Sequence, residues 1–119
     1  MGRYISGDIE RKLWFAVQSS DAADRFGVEG KLPEPSCLEY YFGEEDLKKV
    51  TDEIKRIEES IDVKKLDKFF NKEGWYSQED LKKNNITEEE VSEYADLGLG
   101  KDIQKSIIDN GECYFEAEL

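Results

Sequence analysis

The last eight residues of the chain, Glu-Cys-Tyr-Phe-Glu-Ala-Glu-Leu at positions 112–119, alternate between polar and apolar side chains. Successive side chains of a β-strand point to opposite faces of its sheet. The alternation therefore predicts a strand with an apolar face, which carries Cys113, Phe115, Ala117 and Leu119, and an acidic face, which also carries Tyr114. We expect the acidic face to point away from the core.

Further strands are predicted upstream of this segment. Residues 37–42 alternate in a similar way, with Glu39 and Tyr41 on one face, and residues 12–18 are rich in strand-forming side chains. A brief strand over residues 3–6 is predicted to pair back along the sheet edge. The stretch between residues 18 and 37 contains two glycines and two prolines, so it predicts one helical turn followed by an irregular surface loop.

Residues 44–109 predict a helical segment of four to five helices. An apolar stripe at spacings of three and four, from Leu47 to Ile61, indicates an amphipathic helix of about five turns. Leu66 and the two phenylalanines after it predict a second, short helix, which we expect Gly74 to stop.

The remainder of this segment predicts several shorter helices. Capping patterns at Ser77 and Thr87 indicate two helix starts, and a last helix is predicted over residues 101–109. Gly98-Leu99-Gly100 before it has part of the composition of a phosphate-binding loop, but a turn between two helices explains it better.

The order of strands, helices and a final strand predicts a single α+β domain over residues 1–119. In this fold an antiparallel sheet of three or four strands is covered on one face by the helices. The chain is long enough to bury a core of its own without a disulfide or a structural metal.

Composition excludes several functional classes. Asp and Glu number 29 against 17 Lys and Arg, a net charge of −12, and histidine is absent. Ser–His and Cys–His nucleophile pairs are therefore excluded. Cys37 and Cys113 lack the spacing of a zinc site, so we expect two buried free thiols. The sequence predicts a protein that is not an enzyme, with no catalytic residue, metal or cofactor.

Residues 77–97 resemble a helix-turn-helix in their pattern of short helix, tight turn and second helix. The second helix would present acidic side chains to the DNA major groove, where phosphates repel them. We therefore expect no direct binding to DNA or RNA. The acidic residues of this helix are Glu88, Glu89, Glu90 and Glu93.

The uneven distribution of charge favours a protein-binding surface. Residues 43–62 hold eight acids against four bases and residues 73–96 eight against two, whereas residues 63–72 hold four lysines and one acid. If the last two predicted strands are neighbours, carboxylates and tyrosines share one sheet face. The predicted partner-binding set has two parts. One is the four glutamates of the second helix named above, and the other is the sheet residues Glu39, Tyr41, Tyr114, Glu116 and Glu118. Trp75-Tyr76 is a second candidate patch.

In its small size, acidity and lack of a catalytic constellation, the chain resembles the small orphan proteins of bacteriophages, including anti-CRISPR inhibitors. The resemblance is to a class and rests on no diagnostic motif. It implies a stoichiometric inhibitor that binds a basic nucleic-acid-binding defence protein and imitates the phosphate backbone. No stretch approaches the roughly 20 apolar residues of a membrane span, so the bacterial host cytoplasm is the expected location.

Two other functions remain open from the sequence. A small-ligand binding protein, such as a sponge for a nucleotide signal, would need basic residues around a pocket. The residues near the first strand that could supply this charge are Arg3, Arg11, Lys12, Arg25 and Lys31. An adaptor that dimerises through its tyrosine-bearing sheet face is the other possibility.

Overall fold

The computed structural model describes residues 3–14, 18–34, 36–70 and 78–119, with the side chains of residues 33, 34 and 78 excepted. The described residues form an antiparallel sheet of five strands, in the order β2-β1-β5-β4-β3, together with four α-helices. The strands are β1 (Tyr4–Gly7), β2 (Arg11–Lys12), β3 (Lys31–Glu34), β4 (Cys37–Gly43) and β5 (Glu112–Glu118). The helices are α1 (Leu47–Ser60), α2 (Val63–Phe70), α3 (Gln78–Lys83) and α4 (Glu88–Asn110), with short 3₁₀ turns at Ala22–Phe26 and Glu44–Asp46. The α+β class is confirmed, and the sheet has more strands than the three or four predicted.

Strand β5 lies at the centre of the sheet because it pairs with β1 on one side and with β4 on the other. Its register with β4 is continuous, from Cys37 opposite Glu118 to Gly43 opposite Glu112. The apolar side chains of β5 are buried and its glutamates are exposed, so the predicted strand is confirmed over residues 112–118. The prediction is wrong for Leu119, which follows the strand and is 54% exposed.

Three aromatic rings fill the inner face of the sheet. Tyr40, Phe42 and Phe115 are fully buried, and the ring centroids of Tyr40 and Phe115 lie 5.1 Å apart. The apolar sides of α1 and α4 complete the same core cluster, through residues such as Ile54 and Ile103. The helices therefore cover one face of the sheet and leave the other to solvent.

Strand β3 lies where the sequence predicted an irregular loop. It pairs with β4 at the sheet edge, and its register shifts between Lys31 and Glu34. A proline is tolerated in an edge strand because its missing N–H breaks no ladder on the outer side. The composition of this stretch therefore did not predict the strand, which forms through its pairing with β4.

The strand predicted over residues 12–18 is not formed as expected. Strand β2 comprises only Arg11–Lys12, and the backbone N–H of Gln18 donates to the carbonyl oxygen of Trp14 at 3.0 Å. The side-chain Oε1 of Gln18 also accepts a hydrogen bond from the backbone N–H of Trp14, at 3.0 Å. These two bonds turn the chain away from the sheet, and residues 15–17 lie outside the described part of the chain.

Helix α1 agrees with the predicted apolar stripe, since Val50, Ile54 and Ile57 are buried. It contains 14 residues, about four turns where five were expected. A second core cluster forms around the buried side chain of Leu66 on α2 and contacts the start of α4.

The start of α4 confirms the predicted cap at Thr87. The Thr87 hydroxyl oxygen accepts a hydrogen bond from the backbone N–H of Glu90, and a carboxylate oxygen of Glu90 accepts one from the N–H of Thr87, both at 3.1 Å. The predicted cap at Ser77, the stop at Gly74 and the Trp75-Tyr76 patch lie outside the described residues.

Helix α4 is one continuous helix of 23 residues, whereas the sequence predicted shorter helices separated by a turn at Gly98-Leu99-Gly100. Both glycines lie inside the helix because distant side chains pack against their bare backbone. The ring of Phe26 occupies the space beside Gly100, and the guanidinium of Arg11 occupies the space beside Gly98. A glycine marks a helix end only where no tertiary contact uses its missing side chain.

The substitution Gly100→Ala is expected to lower the free energy of unfolding by about 1–3 kcal/mol, the usual cost of overpacking a core. A Cβ atom on Gly100 would lie 2.6 Å from Cζ of Phe26 and 3.1 Å from Cγ1 of Ile54. Both of those side chains are buried and have little room to move. Urea-induced unfolding followed by circular dichroism measures the change.

Gly98→Ala is the matched control on the same helix. Its Cβ would meet Nη2 of Arg11 at 2.8 Å, so the guanidinium, which pairs with Asp102 at 2.9 Å, must shift. Because alanine is about 1 kcal/mol more favourable than glycine inside a helix and the displaced group is a side-chain end, we expect a smaller loss of stability than for Gly100→Ala. Equal destabilisation by the two substitutions would contradict the role assigned to Phe26.

Candidate functional site

The sheet face opposite the helices carries polar and aromatic side chains from three adjacent strands. Alternation along β1, β4 and β5 places these side chains on one side. We call this surface the open sheet face, and its members on these three strands are Tyr4, Ser6, Cys37, Glu39, Tyr41, Glu112, Tyr114, Glu116 and Glu118. The register also places two lysines of the outer strands on it, Lys12 opposite Tyr4 and Lys31 opposite Glu39. The five sheet residues of the predicted partner-binding set therefore share one surface.

Two carboxylates of the open sheet face are directly opposite each other. Glu39 on β4 pairs in register with Glu116 on β5. Side chains at such positions have Cβ atoms about 4.5–5.5 Å apart, and like charges there are destabilising. Within the described part of the chain, neither carboxylate forms an ion pair with a basic side chain. On its other side Glu39 is directly opposite Lys31 of β3, so this lysine offsets part of the repulsion between the two carboxylates.

Tyrosines lie beside these carboxylates. Tyr41 and Tyr114 are cross-strand neighbours, and the hydroxyl of Tyr114 donates a hydrogen bond to Oε2 of Glu39 at 2.9 Å. This hydrogen bond raises the pKa of Tyr114, and mainly the charge of Glu112 raises the pKa of Tyr41. Tyr41 is 52% exposed and Tyr4 is 51% exposed. The face thus combines negative charge with accessible aromatic surface.

The predicted helical acids lie elsewhere. Helix α4 packs on the inner side of the sheet, so its first turns belong to the helical layer and not to the open sheet face. Glu88 and Glu89 are exposed there, whereas Glu90 closes the helix cap with Thr87. The fourth acid, Glu93, is held by an ion pair with Arg25. The sheet and helix members of the predicted partner-binding set therefore lie on different layers of the fold.

Arg25 organises a charge cluster that the sequence did not reveal. Its guanidinium nitrogens lie 2.7 Å from a carboxylate oxygen of Glu53, 2.8 Å from one of Glu93 and 2.7 Å from one of Asp96. Arg56 also pairs with Glu53, at 2.7 Å. The partners of Arg25 are 28 or more positions away in sequence, and no spacing rule connects them.

The carboxylates of the Arg25 cluster respond differently to their surroundings. Burial raises the pKa of Asp96, although hydrogen bonds from Arg25 and Gln18 act in the opposite direction. Hydrogen bonds from Arg56 and then Arg25 lower the pKa of Glu53. The acids of this cluster serve the fold, in contrast to those of the open sheet face.

The two cysteines differ in exposure. Cys113 is buried, and burial raises the pKa of its thiol to about 11. Cys37 is only half-buried and lies on the open sheet face, so the expectation of two buried thiols is wrong for this residue. Both are free thiols.

Searches for two other kinds of feature were negative over the described ranges. Among those residues, no group of three or more cysteines and acids is arranged to hold a metal ion. None of the helices traced there has the length and apolar composition required to span a bilayer.

Comparison with known proteins gives no family, since no family model, curated protein or solved structure matches the chain. The contrast between paired and unpaired carboxylates is therefore the main indication of function. The helical acids near Arg25 are ion-paired, whereas those of the open sheet face accept hydrogen bonds only: Glu39 from the Tyr114 hydroxyl at 2.9 Å and Glu118 from the backbone N–H of Tyr4 at 2.6 Å.

Replacing Arg25 with methionine is expected to lower the free energy of unfolding at pH 7 by about 2–4 kcal/mol. This value lies slightly below the cost of breaking a fully buried ion pair because the arginine side chain is 20% exposed. Glu53, Glu93 and Asp96 would lose their shared cation while keeping their mutual repulsion. Arg56→Met, at a position 57% exposed, should cost less than about 1 kcal/mol.

The difference in free energy of unfolding between the wild type and Arg25→Met should become smaller as the pH falls from 7 to about 4. In the wild type hydrogen bonds from Arg56 and then Arg25 lower the pKa of Glu53, so stability is present above its unfolded-state pKa and lost as the pH falls, and the variant lacks only the part from Arg25. Burial raises the pKa of Asp96, so protonation of this group favours the folded state, and the variant also lacks the opposing hydrogen bond from Arg25. In the variant, protonation relieves the uncompensated carboxylates, so acid restores stability. Urea unfolding at several pH values tests this, and a difference that widens toward acid would contradict the cluster's electrostatic role.

The substitution Glu116→Lys is expected to raise the free energy of unfolding by about 0.2–1 kcal/mol. It replaces a repulsive pair with Glu39 by an attractive one across the same strands. Because the pair is exposed, the gain should shrink in high salt. Denaturant unfolding at two salt concentrations checks this, with Glu116→Gln expected to give part of the gain. A loss of stability in both variants would contradict the repulsion inferred from the register.

Proposed function

We propose that this protein is a non-catalytic inhibitor that binds the basic nucleic-acid-binding groove of another protein. The observation that supports this most is the directly opposed pair of Glu39 and Glu116 in the centre of an exposed, tyrosine-bearing sheet. A partner with lysines and arginines would relieve the repulsion that the free protein retains. The proposed setting is the bacterial cytoplasm, where a phage-encoded anti-defence protein of the anti-CRISPR type would meet its target.

The geometry of the open sheet face is suited to a groove that normally holds a phosphate backbone. Neighbouring strands lie about 4.8 Å apart, and alternate residues along one strand are about 6.6 Å apart. Glu116 and Glu118 are related in the second way, and Glu39 and Glu116 in the first. The result is a predominantly negative surface on a rigid support, interrupted by Lys31 beside Glu39, which would attract a basic groove and accelerate association.

The tyrosines would supply contact that charge alone lacks. Tyr41 and Tyr4 offer exposed rings, and tyrosine is enriched at protein interfaces because it gives large area at a small cost in side-chain entropy. The affinity for the partner would therefore fall as the salt concentration rises, but the contacts of the tyrosine rings would keep part of it. Distinct contributions from charge and rings distinguish a specific inhibitor from a generally acidic protein.

Two other functions have less support. The sponge hypothesis relied on five basic residues near the first strand, but three of these make intramolecular contacts. Arg3 binds Ser20 and the carbonyl of Gln18, Arg11 binds Asp102, and Arg25 binds its carboxylate cluster. A homodimeric adaptor would place two acidic open sheet faces against each other, which a net charge of −12 opposes.

The test is affinity capture from bacterial lysate with the tagged wild type, Glu116→Lys and Glu59→Lys. Glu59 lies exposed near the end of α1, in the helical layer, so its substitution changes the net charge equally but at a different place. We expect the wild type and Glu59→Lys to retain a nucleic-acid-binding protein that DNA or RNA displaces. Glu116→Lys should reduce this retention at least about tenfold, by analogy with the loss of a close charge pair at an interface.

Two results would contradict the proposal. One is a partner retained equally by Glu116→Lys and the wild type, which would place the binding surface elsewhere. The other is a concentration-dependent mass in sedimentation experiments that Glu116→Lys increases, which would indicate self-association through the open sheet face.

A further inference from the structure

A second, chemically opposite site lies on the helical layer. A cleft of about 660 Å³ opens between helix α2 and the turn that joins α3 to α4. Its wall contains three lysines of α2 together with apolar and amide side chains, namely Lys64, Lys65, Lys68, Phe69, Asn84 and Ile86. In a chain of net charge −12, this is a local concentration of positive charge.

The charge of the cleft is largely uncompensated. Asp62 is the one carboxylate among its described lining residues, and its Oδ1 accepts a hydrogen bond from the backbone N–H of Lys65 at 3.1 Å. Lys64 and Lys68 are exposed and form no ion pair with any residue that the structure describes. The acid within α2, Asp67, accepts a hydrogen bond from the Tyr94 hydroxyl at 2.6 Å. Two ammonium groups therefore remain available to an anion.

The walls of the cleft are held in place by the fold. The Nζ atom of Lys65 donates a hydrogen bond to the backbone carbonyl of Asn85 at 2.9 Å, which ties α2 to the α3–α4 turn. Behind the cleft, Leu66 and Ile86 belong to the second core cluster. Asn85 has a φ of 56°, a left-handed conformation that asparagine tolerates and that a tight turn requires. A rigid wall reduces the entropy lost on binding.

We propose that this cleft binds a small phosphate ester of about the size of a nucleoside monophosphate. Lys64 and Lys68 would bind the phosphate group of the ligand, and the side chains of Phe69 and Ile86 would contact its planar nucleobase. The volume falls within the usual range of about 300–1,000 Å³ for small-ligand sites. An extended nucleic acid is disfavoured because the chain as a whole carries a net charge of −12, which repels a long phosphate backbone.

The test uses isothermal titration calorimetry and amide chemical shifts with AMP, adenosine and inorganic phosphate as probes. AMP should bind at least about tenfold more tightly than either fragment, since it engages both the lysines and the apolar wall. Its chemical-shift changes should centre on residues 64–69 and 84–86. The double variant Lys64→Gln/Lys68→Gln should weaken AMP binding about tenfold, the effect of losing one or two charge-assisted hydrogen bonds.

The matched control is Lys48→Gln/Lys105→Gln, which removes two exposed lysines that pair with acids on their own helices. It changes the net charge by the same amount and should leave AMP binding unchanged. Equal weakening by both double variants would overturn the proposal, because the effect would then reflect net charge. Absence of AMP binding at millimolar concentration, or shift changes centred on the open sheet face, would also overturn it.

Discussion

The insertion of β5 between β1 and β4 is the constraint on which the rest of the structure depends. It pairs Ile5 with Ala117 and Tyr40 with Phe115, so segments far apart in sequence meet along one strand. The same strand supplies buried side chains to the core and acidic side chains to the open sheet face. Any shift of its register by one residue would exchange these two sets. Core packing and surface chemistry are therefore fixed together.

Much of this arrangement could be predicted because β5, β4 and α1 have regular apolar patterns. The sequence did not predict where tertiary contacts override local signals. Gly98 and Gly100 suggested a turn, but the side chains of Arg11 and Phe26 use the space beside them and the helix continues. Strand β3 has the composition of a loop and exists through its pairing with β4.

The candidate site was predictable in the same partial way. Alternation correctly predicted that the carboxylates and tyrosines of the strands share one face of the sheet. The position of the helical acids relative to that face depends on tertiary packing, which no local pattern predicts. Arg25 binds acids from two helices, and it takes Glu93 out of the predicted surface. Pairing thus separates the acids of this protein into two groups. Those around Arg25 stabilise the packing of helices, whereas those on the open sheet face remain available for intermolecular contact.

Because the two thiols differ in exposure, the open sheet face has a cysteine that can be labelled selectively. Cys113 is buried in the core, whereas Cys37 is partly accessible on β4, two positions from Glu39. A thiol reagent would therefore discriminate between the two cysteines without any engineered substitution. A fluorophore attached at Cys37 would sit on the same surface as the opposed carboxylates, where a docking protein would change its polarity and mobility.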